Sequence, residues 1–311
     1  MLVYSTSIVV TIGLLQVSGI NLIVSALSAV WSDADEYSDG ASSLRASSTL
    51  GAPIPFADFM AISSVLLFGL ASIARIRHHR RLLRILAILC ALGCFASGQA
   101  SGVLALIICF AAFGLARGRP IQYLSIVAGI SLASVLLLRS VVGARVDQID
   151  QRTGLPAAWT GTNGRLANLQ NLVLPELTSG WNWLLGVRTS ARIVAPEPWR
   201  EWIYIESGYA WLVWVGGVPA LIAFIAFLVS AALAAYRVRA YSEDLSAIIG
   251  ATGIAIVSLL AILMVLDPHL TYRGSSDLIV SVLSLCVGGQ SLFSRGGADS
   301  IFGANRRAHQ E

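Results

Sequence analysis

Residues 208–234 read GYAWLVWVGGVPALIAFIAFLVSAALA and contain no charged side chain. A helix needs roughly 20 apolar residues to cross a bilayer, because the hydrocarbon core is about 30 Å thick and each residue rises about 1.5 Å. The rest of the chain has the same character, with a hydrophobic fraction of 56% and a charged fraction of 12%. Since soluble domains have about 25% charged residues, this composition excludes an ordinary soluble fold.

Eight apolar segments of this kind predict membrane spans, over residues 8–30, 55–73, 82–97, 101–116, 121–138, 208–234, 246–266 and 278–293. The first segment lacks a basic n-region, and no small-residue cleavage site precedes a soluble domain, so we expect a span there and not a cleaved signal peptide. The predicted fold class is all-α. We expect a polytopic transmembrane helical bundle of about eight spans, which forms a single integral membrane domain over residues 1–311.

The arginines predict the orientation of the bundle. The chain contains 21 arginines and no lysine. With a cytoplasmic N-terminus, 12 of these 21 arginines fall in cytoplasmic loops, as expected because basic residues near span ends resist translocation. We therefore expect both termini in the cytoplasm. The pI of about 9.1 comes from the same arginines, so it predicts contact with anionic membrane lipid and no nucleic-acid partner.

One long polar loop, residues 140–205, interrupts the apolar pattern and is the predicted extracytoplasmic loop. It holds five of the eight tryptophans, and indole prefers the headgroup layer, so we expect the loop to lie against the membrane. It also carries six arginines, namely Arg145, Arg152, Arg165, Arg188, Arg192 and Arg200. This clustering makes the loop the predicted location of any chemistry.

Short helices are expected inside this loop. Residues 162–175 predict one, with a capping residue at Thr162 or Asn163 and an end at Pro175. Apolar residues recur there at helical spacing, at Leu166, Leu169 and Val173. Arg165 then lies in the first turn, where the helix dipole disfavours a cation unless both share an anion. Two interpretations of Arg165 stay open: an anion-binding residue, and a surface side chain that extends along the membrane.

Ionisable residues at the mouths of spans are further candidates. Glu206 precedes span six, and a carboxylate is costly against lipid, so it should face water or the bundle interior. His269, before span eight, is either an interfacial residue or a catalytic group. Cys90 and Cys94 share a helix face, but no histidine or carboxylate accompanies them. We therefore expect all four cysteines to be buried apolar side chains, with no metal site.

Three stretches carry further motifs, namely LRASSTLGAP at residues 44–53, Gly164-Arg165 with Gly180-Trp181 and Leu185-Gly186-Val187, and Glu206-Ser207-Gly208-Tyr209 with Gly216-Gly217. These motifs resemble those of the O-antigen polymerase/O-antigen ligase superfamily of multi-spanning bacterial enzymes. LRASSTLGAP, residues 44–53, resembles the family's stretch at the opening of span two, with Arg45 and Pro53 matching and Ile54 in place of the family's asparagine. Gly164-Arg165, followed by Gly180-Trp181 and Leu185-Gly186-Val187, resembles a run in the family's large loop. Glu206-Ser207-Gly208-Tyr209 with Gly216-Gly217 resembles the start of the span after that loop.

The resemblance implies a GT-C-like fold and glycosyl transfer without a metal or other cofactor, at the outer face of the bacterial cytoplasmic (inner) membrane. The implied substrate is a polyprenyl-diphosphate-linked glycan, whose repeat units are polymerised into surface polysaccharide. A flippase and a chain-length regulator are implied partners. Arginine binds phosphate bidentately and stays charged, so we expect Arg165 and Glu206 to be catalytic, with Glu206 as the base. Expected substrate-binding residues are Arg45, Arg145, Arg188, Tyr209 and His269.

Departures from the family pattern keep alternatives open. The family commonly has an arginine in the turn before span four, where this chain has Gly102. Its ligases have a histidine where this chain has Glu206, which favours a polymerase. Because the family usually has ten or more spans, we expect a divergent or N-terminally short member.

Two alternative functions follow. One is a ligase that transfers glycan to a lipid or protein acceptor. The other is a non-enzymatic transporter or scaffold, which should have ionisable residues at span centres and interrupted helices in matching halves. The sequence places no charge near the centre of any span and has no obvious inverted repeat, so we rank this alternative last.

Overall fold

The computed structural model describes residues 2–30, 45–139, 141, 143, 165–188, 192–194, 202–240, 244–272 and 274–288. These residues are mostly helical. The helices, in chain order, are α1 (Leu2–Val17), α2 (Asn21–Val30), α3 (Pro53–Ile73), α4 (Arg77–Ala96), α5 (Ala100–Ala116), α6 (Pro120–Leu137), α7 (Arg165–Asn168), α8 (Leu174–Thr178), α9 (Asn182–Leu185), α10 (Gly208–Ala240), α11 (Asp244–Leu263) and α12 (Ser275–Gly288). A π turn, Leu169–Val173, joins α7 to α8, and 3-10 turns cover Ser48–Leu50 and His269–Thr271.

A small sheet departs from the all-α prediction. Strand β1 (Arg192–Val194) pairs antiparallel with β2 (Trp202–Tyr204), with Ile193 opposite Ile203. Ile193 and Ile203 are both buried, together with Ile205, Val173 and Leu177. Short runs of three residues carry too little alternation to be told from loop in the sequence, which explains the miss.

Each predicted span overlaps a described helix or helix pair, with residues 289–293 of the last span outside the described residues. Fewer helices meet the length and apolarity that a membrane crossing needs. Among the described residues, four do: α3, α6, α10 and Leu245–Leu263 of α11. The α1–α2 pair makes a fifth if it is counted as one span. The apolar part of α4 is shortened by four arginines in its first turns, and α5, with 17 residues, extends only about 25 Å.

The first predicted span, residues 8–30, is broken and not continuous. Between α1 and α2 the chain bends by 114°. Gly19 lies in this bend with a φ of 73°, a left-handed conformation that glycine adopts at little cost. Hydropathy predicts which residues lie in lipid but not the direction of the helix axis. The uniformly apolar residues 8–30 therefore gave no indication of this bend.

A second break interrupts α10 at Gly216 and Gly217. Gly217 has φ 67° and ψ −169°, and a Cβ there would overlap the carbonyl oxygen of Leu184. The carbonyl of Trp214, left open by the break, accepts a hydrogen bond from the Val187 amide at 2.7 Å, which satisfies a backbone group that could not remain unpaired in lipid. The residues around α9 therefore pack into the break.

Helix α3 lies at the centre of the bundle, between α4, α5 and α11. In its most apolar stretch 78% of residues are buried, against 22% in α10, so α10 lies at the periphery of the bundle with most of its apolar surface exposed. Small residues allow the close packing: a Cβ on Gly102 of α5 would lie 2.6 Å from the Cβ of Ala57 on α3. A side chain as large as arginine at position 102 is incompatible with this packing.

Because short connections make consecutive helices antiparallel, the bundle has two distinct ends. One, which we call the arginine end, holds the α3–α4, α5–α6 and α10–α11 connections with Arg77, Arg117 and Arg239. The other, which we call the loop end, holds the start of α3, the α4–α5 turn, the start of α10 and the α11–α12 turn. Asp58, Glu206 and His269 all lie at the loop end.

Candidate active site

The turn that follows α11 fixes the start of α10. The Tyr209 amide donates a hydrogen bond to the Met264 carbonyl at 3.2 Å, and the Tyr209 hydroxyl donates to the Ala261 carbonyl at 2.7 Å. Gly208 allows this approach, since a Cβ there would lie 2.6 Å from Met264 Sδ. Glu206, just before Gly208, is thereby positioned at the mouth of α10, as the sequence predicted.

Arg165 is the first described residue of a helical run that extends past the predicted end, and the predicted capping residues Thr162 and Asn163 lie outside the described residues. The run continues from α7 through the π turn into α8, so Pro175 does not end it as predicted. The π turn bonds the Leu174 amide to Leu169 O, and Pro175 follows early in α8, where its missing N–H costs least. The wider turn also rotates the apolar face: Val173 is 3% exposed, whereas Leu166 is 44% exposed.

The Arg165 guanidinium joins this outer helix to both α10 and the turn after α11. Its Nε lies 2.6 Å from Glu206 Oε2, as an ion contact and not as a directed hydrogen bond. Its Nη1 donates to the Leu266 carbonyl at 3.2 Å, and its Nη2 lies 4.0 Å from Asp267 Oδ2. The two residues that the sequence predicted to be catalytic are therefore in direct contact.

A cavity of about 190 Å³ opens beside this ion pair. Arg165, Asn168, Glu206 and Ser207 form its polar part, and the rest of the wall is largely apolar, from Leu166, Leu169, Val173, Tyr204, Ile205, Val265 and Leu266. Small-molecule sites usually measure about 300–1,000 Å³. The cavity is smaller than this range, and it combines one arginine with a largely apolar wall.

Asp267 adds a second carboxylate, to which the sequence analysis assigned no role in the site. Burial raises its pKa from 3.8 to about 6. The Arg165 and His269 charges oppose this shift, and the Glu206 and Asp58 carboxylates add to it. The Asp267 carboxyl therefore changes its protonation state close to neutral pH, a property common in catalytic and binding sites.

Behind Asp267 lies a buried pair, Asp58 and His269. His269 Nδ1 lies 2.6 Å from Asp58 Oδ2, and the two side chains are 0% and 1% exposed. Burial alone would lower the pKa of His269, but the Asp58 carboxylate, its hydrogen bond and the Asp267 charge raise it. His269 is thus neither an interfacial residue nor part of the cavity wall. The pairing had one sequence signal, an aspartate inside an apolar span, because such groups usually find a partner.

Two predicted arginines lie at the loop end, away from the cavity wall. Arg45 is half-buried beside Gly98, whose Cβ would lie 3.4 Å from Arg45 Cγ. Arg188 is exposed, with its guanidinium 5.5 Å from the centre of the Trp214 ring. Arg145 lies outside the described residues. Of the predicted site residues that the structure describes, Arg165 and Glu206 line the cavity, and Tyr209, His269, Arg45 and Arg188 do not.

The segment that carries Arg45 is held by a buried glutamine that the sequence did not highlight. Gln16 Oε1 accepts hydrogen bonds from the amides of Ser47 and Ser48 at 3.0 and 2.9 Å. Gln16 Nε2 donates to Ser47 Oγ at 3.1 Å. Ser48, with a φ of 52°, donates its hydroxyl to the Val9 carbonyl at 2.7 Å. These bonds fix the polar turn inside an otherwise apolar environment.

The cysteines pack as expected for apolar side chains, since Cys90, Cys94, Cys109 and Cys286 are all buried and unpaired. Within the described ranges, no group of three or more His, Cys, Asp or Glu side chains could hold a metal ion. Comparison with protein-family models, with curated proteins and with solved structures found no match to this chain.

Proposed function

We propose that this protein is a membrane glycosyltransferase that polymerises polyprenyl-diphosphate-linked oligosaccharide repeat units at the loop end of its bundle. The observation that carries the proposal is the Arg165–Glu206 contact at the rim of a largely apolar cavity. A lipid-linked diphosphate sugar has the matching chemistry: an apolar chain, an anionic group and a polar acceptor partner at one point. The resemblance of residues 44–53, 164–187 and 206–217 to the O-antigen polymerase/ligase superfamily supports the same assignment.

In the proposed reaction, the hydroxyl oxygen of the acceptor sugar attacks the anomeric carbon of the donor. The bond between that carbon and the diphosphate oxygen breaks, and the lipid diphosphate leaves with the electron pair. The proton of the hydroxyl passes to the Glu206 carboxylate, which acts as the general base. Atoms and charge balance, since the departing diphosphate gains the negative charge that Glu206 loses.

Arg165 couples the two halves of this step. At rest its charge is shared by Glu206 and, at longer range, Asp267. When Glu206 takes up the proton, its attraction for the guanidinium falls, and the guanidinium becomes available to the diphosphate at the moment when negative charge develops there. Stabilisation of developing charge by a preorganised donor is typically worth about 10²–10³-fold in rate.

The test uses a strain that lacks the chromosomal gene and carries plasmid copies of the variants. With Arg165→Ala or Glu206→Gln, we expect surface polysaccharide with single repeat units instead of a ladder, at wild-type protein level. The matched controls are Arg139→Ala and Glu176→Gln, which change exposed residues of the same types and should keep the ladder. Full-length polymer from both site variants would contradict the proposal. Unchanged polymer that no longer reaches its lipid or protein acceptor would identify a ligase instead.

A transporter is the second candidate, because α10 is interrupted at Gly216–Gly217 and the bundle contains the buried Asp58–His269 pair. Interrupted helices and buried ionisable pairs are recurring features of secondary transporters. Proteoliposomes distinguish the two functions. A transporter would move labelled lipid-linked glycan across the bilayer without forming polymer, whereas the proposed enzyme would form polymer from substrate already on the accessible leaflet.

A further inference from the structure

A series of hydrogen bonds in the turn after α11 links the buried Asp58–His269 pair to the cavity. The His269 amide donates to the Asp267 carbonyl at 2.8 Å, and the Asp267 amide donates to Leu263 at the end of α11. Leu266, in the same turn, accepts the hydrogen bond from Arg165. The side chain of His269, held by α3 through Asp58, therefore sets where Leu266 and Asp267 meet Arg165.

The pair also connects electrostatically. Asp58 faces His269 from α3, and Asp267 and the Tyr272 ring face it from its own turn. Beyond Asp267 lie Arg165 and Glu206, and the thiols of Cys94 on α4 and Cys109 on α5 are within electrostatic reach of Asp58. His269 thus lies between two carboxylates.

Hydrogen bonding at the far side of the ring does not select a protonation state. His269 Nε2 and Asp58 Oδ1 are buried without a partner among the described residues, so a neutral ring leaves an acceptor unsatisfied there and a cationic ring leaves a donor. Opposite charges nearby favour the cation. A cationic ring in turn favours the carboxylate form of Asp267.

We propose that Asp58 and His269 are positioning residues of the candidate site, and that as an ion pair they hold the turn after α11 in place and keep Asp267 a carboxylate beside Arg165. The role of this arrangement in anion handling rests on the proposed function. The arrangement itself does not, because it concerns only this chain's own residues.

Replacing Asp58 by a neutral side chain of similar shape distinguishes the effect of its charge from the effect of its hydrogen bond to His269. In Asp58→Asn the amide oxygen can still accept from His269 Nδ1, whereas the charge is gone. The full chain, with its histidines labelled with ¹³C at Cε1 and its aspartates labelled at the carboxyl carbon, is titrated by NMR in nanodiscs. His269→Asn and Asp267→Asn assign the two signals, and the exposed His78 and His79 serve as internal references.

In Asp58→Asn we expect the midpoint of His269 to fall. The midpoint of Asp267 should rise, because the loss of the His269 charge, which lowers the Asp267 pKa, outweighs the loss of the Asp58 charge, which raises it. We also expect reciprocity: Asp267→Asn should lower the midpoint of His269 by as much as neutralising His269 raises that of Asp267, because coupling between two sites is symmetric. Unchanged midpoints in Asp58→Asn would overturn the proposal and leave the pair as a packing contact. If Asp58→Asn does not fold, Asp267→Asn decides, since an unchanged His269 midpoint there overturns the proposal equally.

Activity gives the second readout. In polymer-forming membranes, Asp58→Asn should move the pH profile and lower the maximal rate, whereas Asp277→Asn, at an exposed carboxylate on α12, should change neither the profile nor the rate. Coupled titrations without any polymer formation by the wild type would refute the proposed function and keep this inference. Polymer formation with uncoupled titrations would do the reverse.

Discussion

Arg165 contacts Glu206 at 2.6 Å, and this contact joins the outer helix to the mouth of α10. The two side chains are 35% and 40% exposed, so solvent screens the pair and its contribution to stability is small. We expect Arg165→Lys to lower the free energy of unfolding by about 1 kcal/mol or less. The rate of polymer formation should nevertheless fall about 100-fold, because lysine cannot reach Glu206 and the Leu266 carbonyl together.

Thermal unfolding in detergent and the initial rate of polymerisation measure this separation of stability from activity. Arg139→Lys is the matched control and should leave both unchanged. A variant at position 165 that loses activity only in proportion to its loss of folded protein would show that Arg165 is a structural tie.

Asp267 predicts how stability depends on pH. Its pKa is raised from 3.8 to about 6, so the folded state favours the protonated carboxyl. The contribution to stability is fully present below about pH 3.8 and is lost as the pH rises through about 6. The corresponding free energy is up to roughly 3 kcal/mol. Unfolding by denaturant between pH 4 and 7 should show this loss in the wild type and much less of it in Asp267→Asn, with Asp277→Asn behaving like the wild type.

A side chain added at Gly102 should destabilise the fold through a steric clash. Its Cβ would lie 2.6 Å from the Cβ of Ala57, between the first turns of α5 and α3, and overpacking of a close-packed interior costs about 1–3 kcal/mol. Gly102→Ala should lower the melting temperature accordingly. Gly129→Ala is the control, because nothing lies within 4 Å of a Cβ there, and it should be neutral or slightly stabilising. Equal melting temperatures for the two variants would show that α3 and α5 are less closely packed.

Gln16 predicts a cost of buried hydrogen bonds. Gln16→Leu has nearly the same volume but leaves the amides of Ser47 and Ser48 without acceptors. An unsatisfied buried group costs about 1–3 kcal/mol, so we expect a loss of at least about 2 kcal/mol. Faster proteolysis near Arg45 should accompany it. Gln122→Leu, an exposed position on α6, should change neither the unfolding free energy nor the cleavage rate.

Much of the helical architecture follows from the sequence, because a stretch of apolar residues can satisfy its backbone in lipid only as a helix. The ends of α3, α5 and α6 fall within a few residues of the predicted spans. The direction of the helix axis within a span is harder to predict. The bend between α1 and α2 and the break in α10 depend on glycines with positive φ, and no hydropathy pattern reports φ.

The site was predictable in part. Glu206 and Arg165 were identifiable because each is a charge in a position where lipid or a helix dipole would penalise it. The role of Asp267 and the pairing of Asp58 with His269 were not, because they depend on which helices are neighbours in the bundle. That arrangement is set by contacts between distant residues, such as Gly102 against Ala57.

The interruption of α10 has a consequence for how this protein meets membranes of different thickness. A long lipid-facing helix adapts to a thinner or thicker bilayer by tilting, and an unbroken rod would carry that tilt to both of its ends. Here the part of α10 that follows Gly217 can tilt by itself. The first turns of the helix, before Gly216, are held by Met264 and by the residues around α9. A change in lipid composition that alters the bilayer thickness should therefore leave the proposed catalytic geometry unchanged.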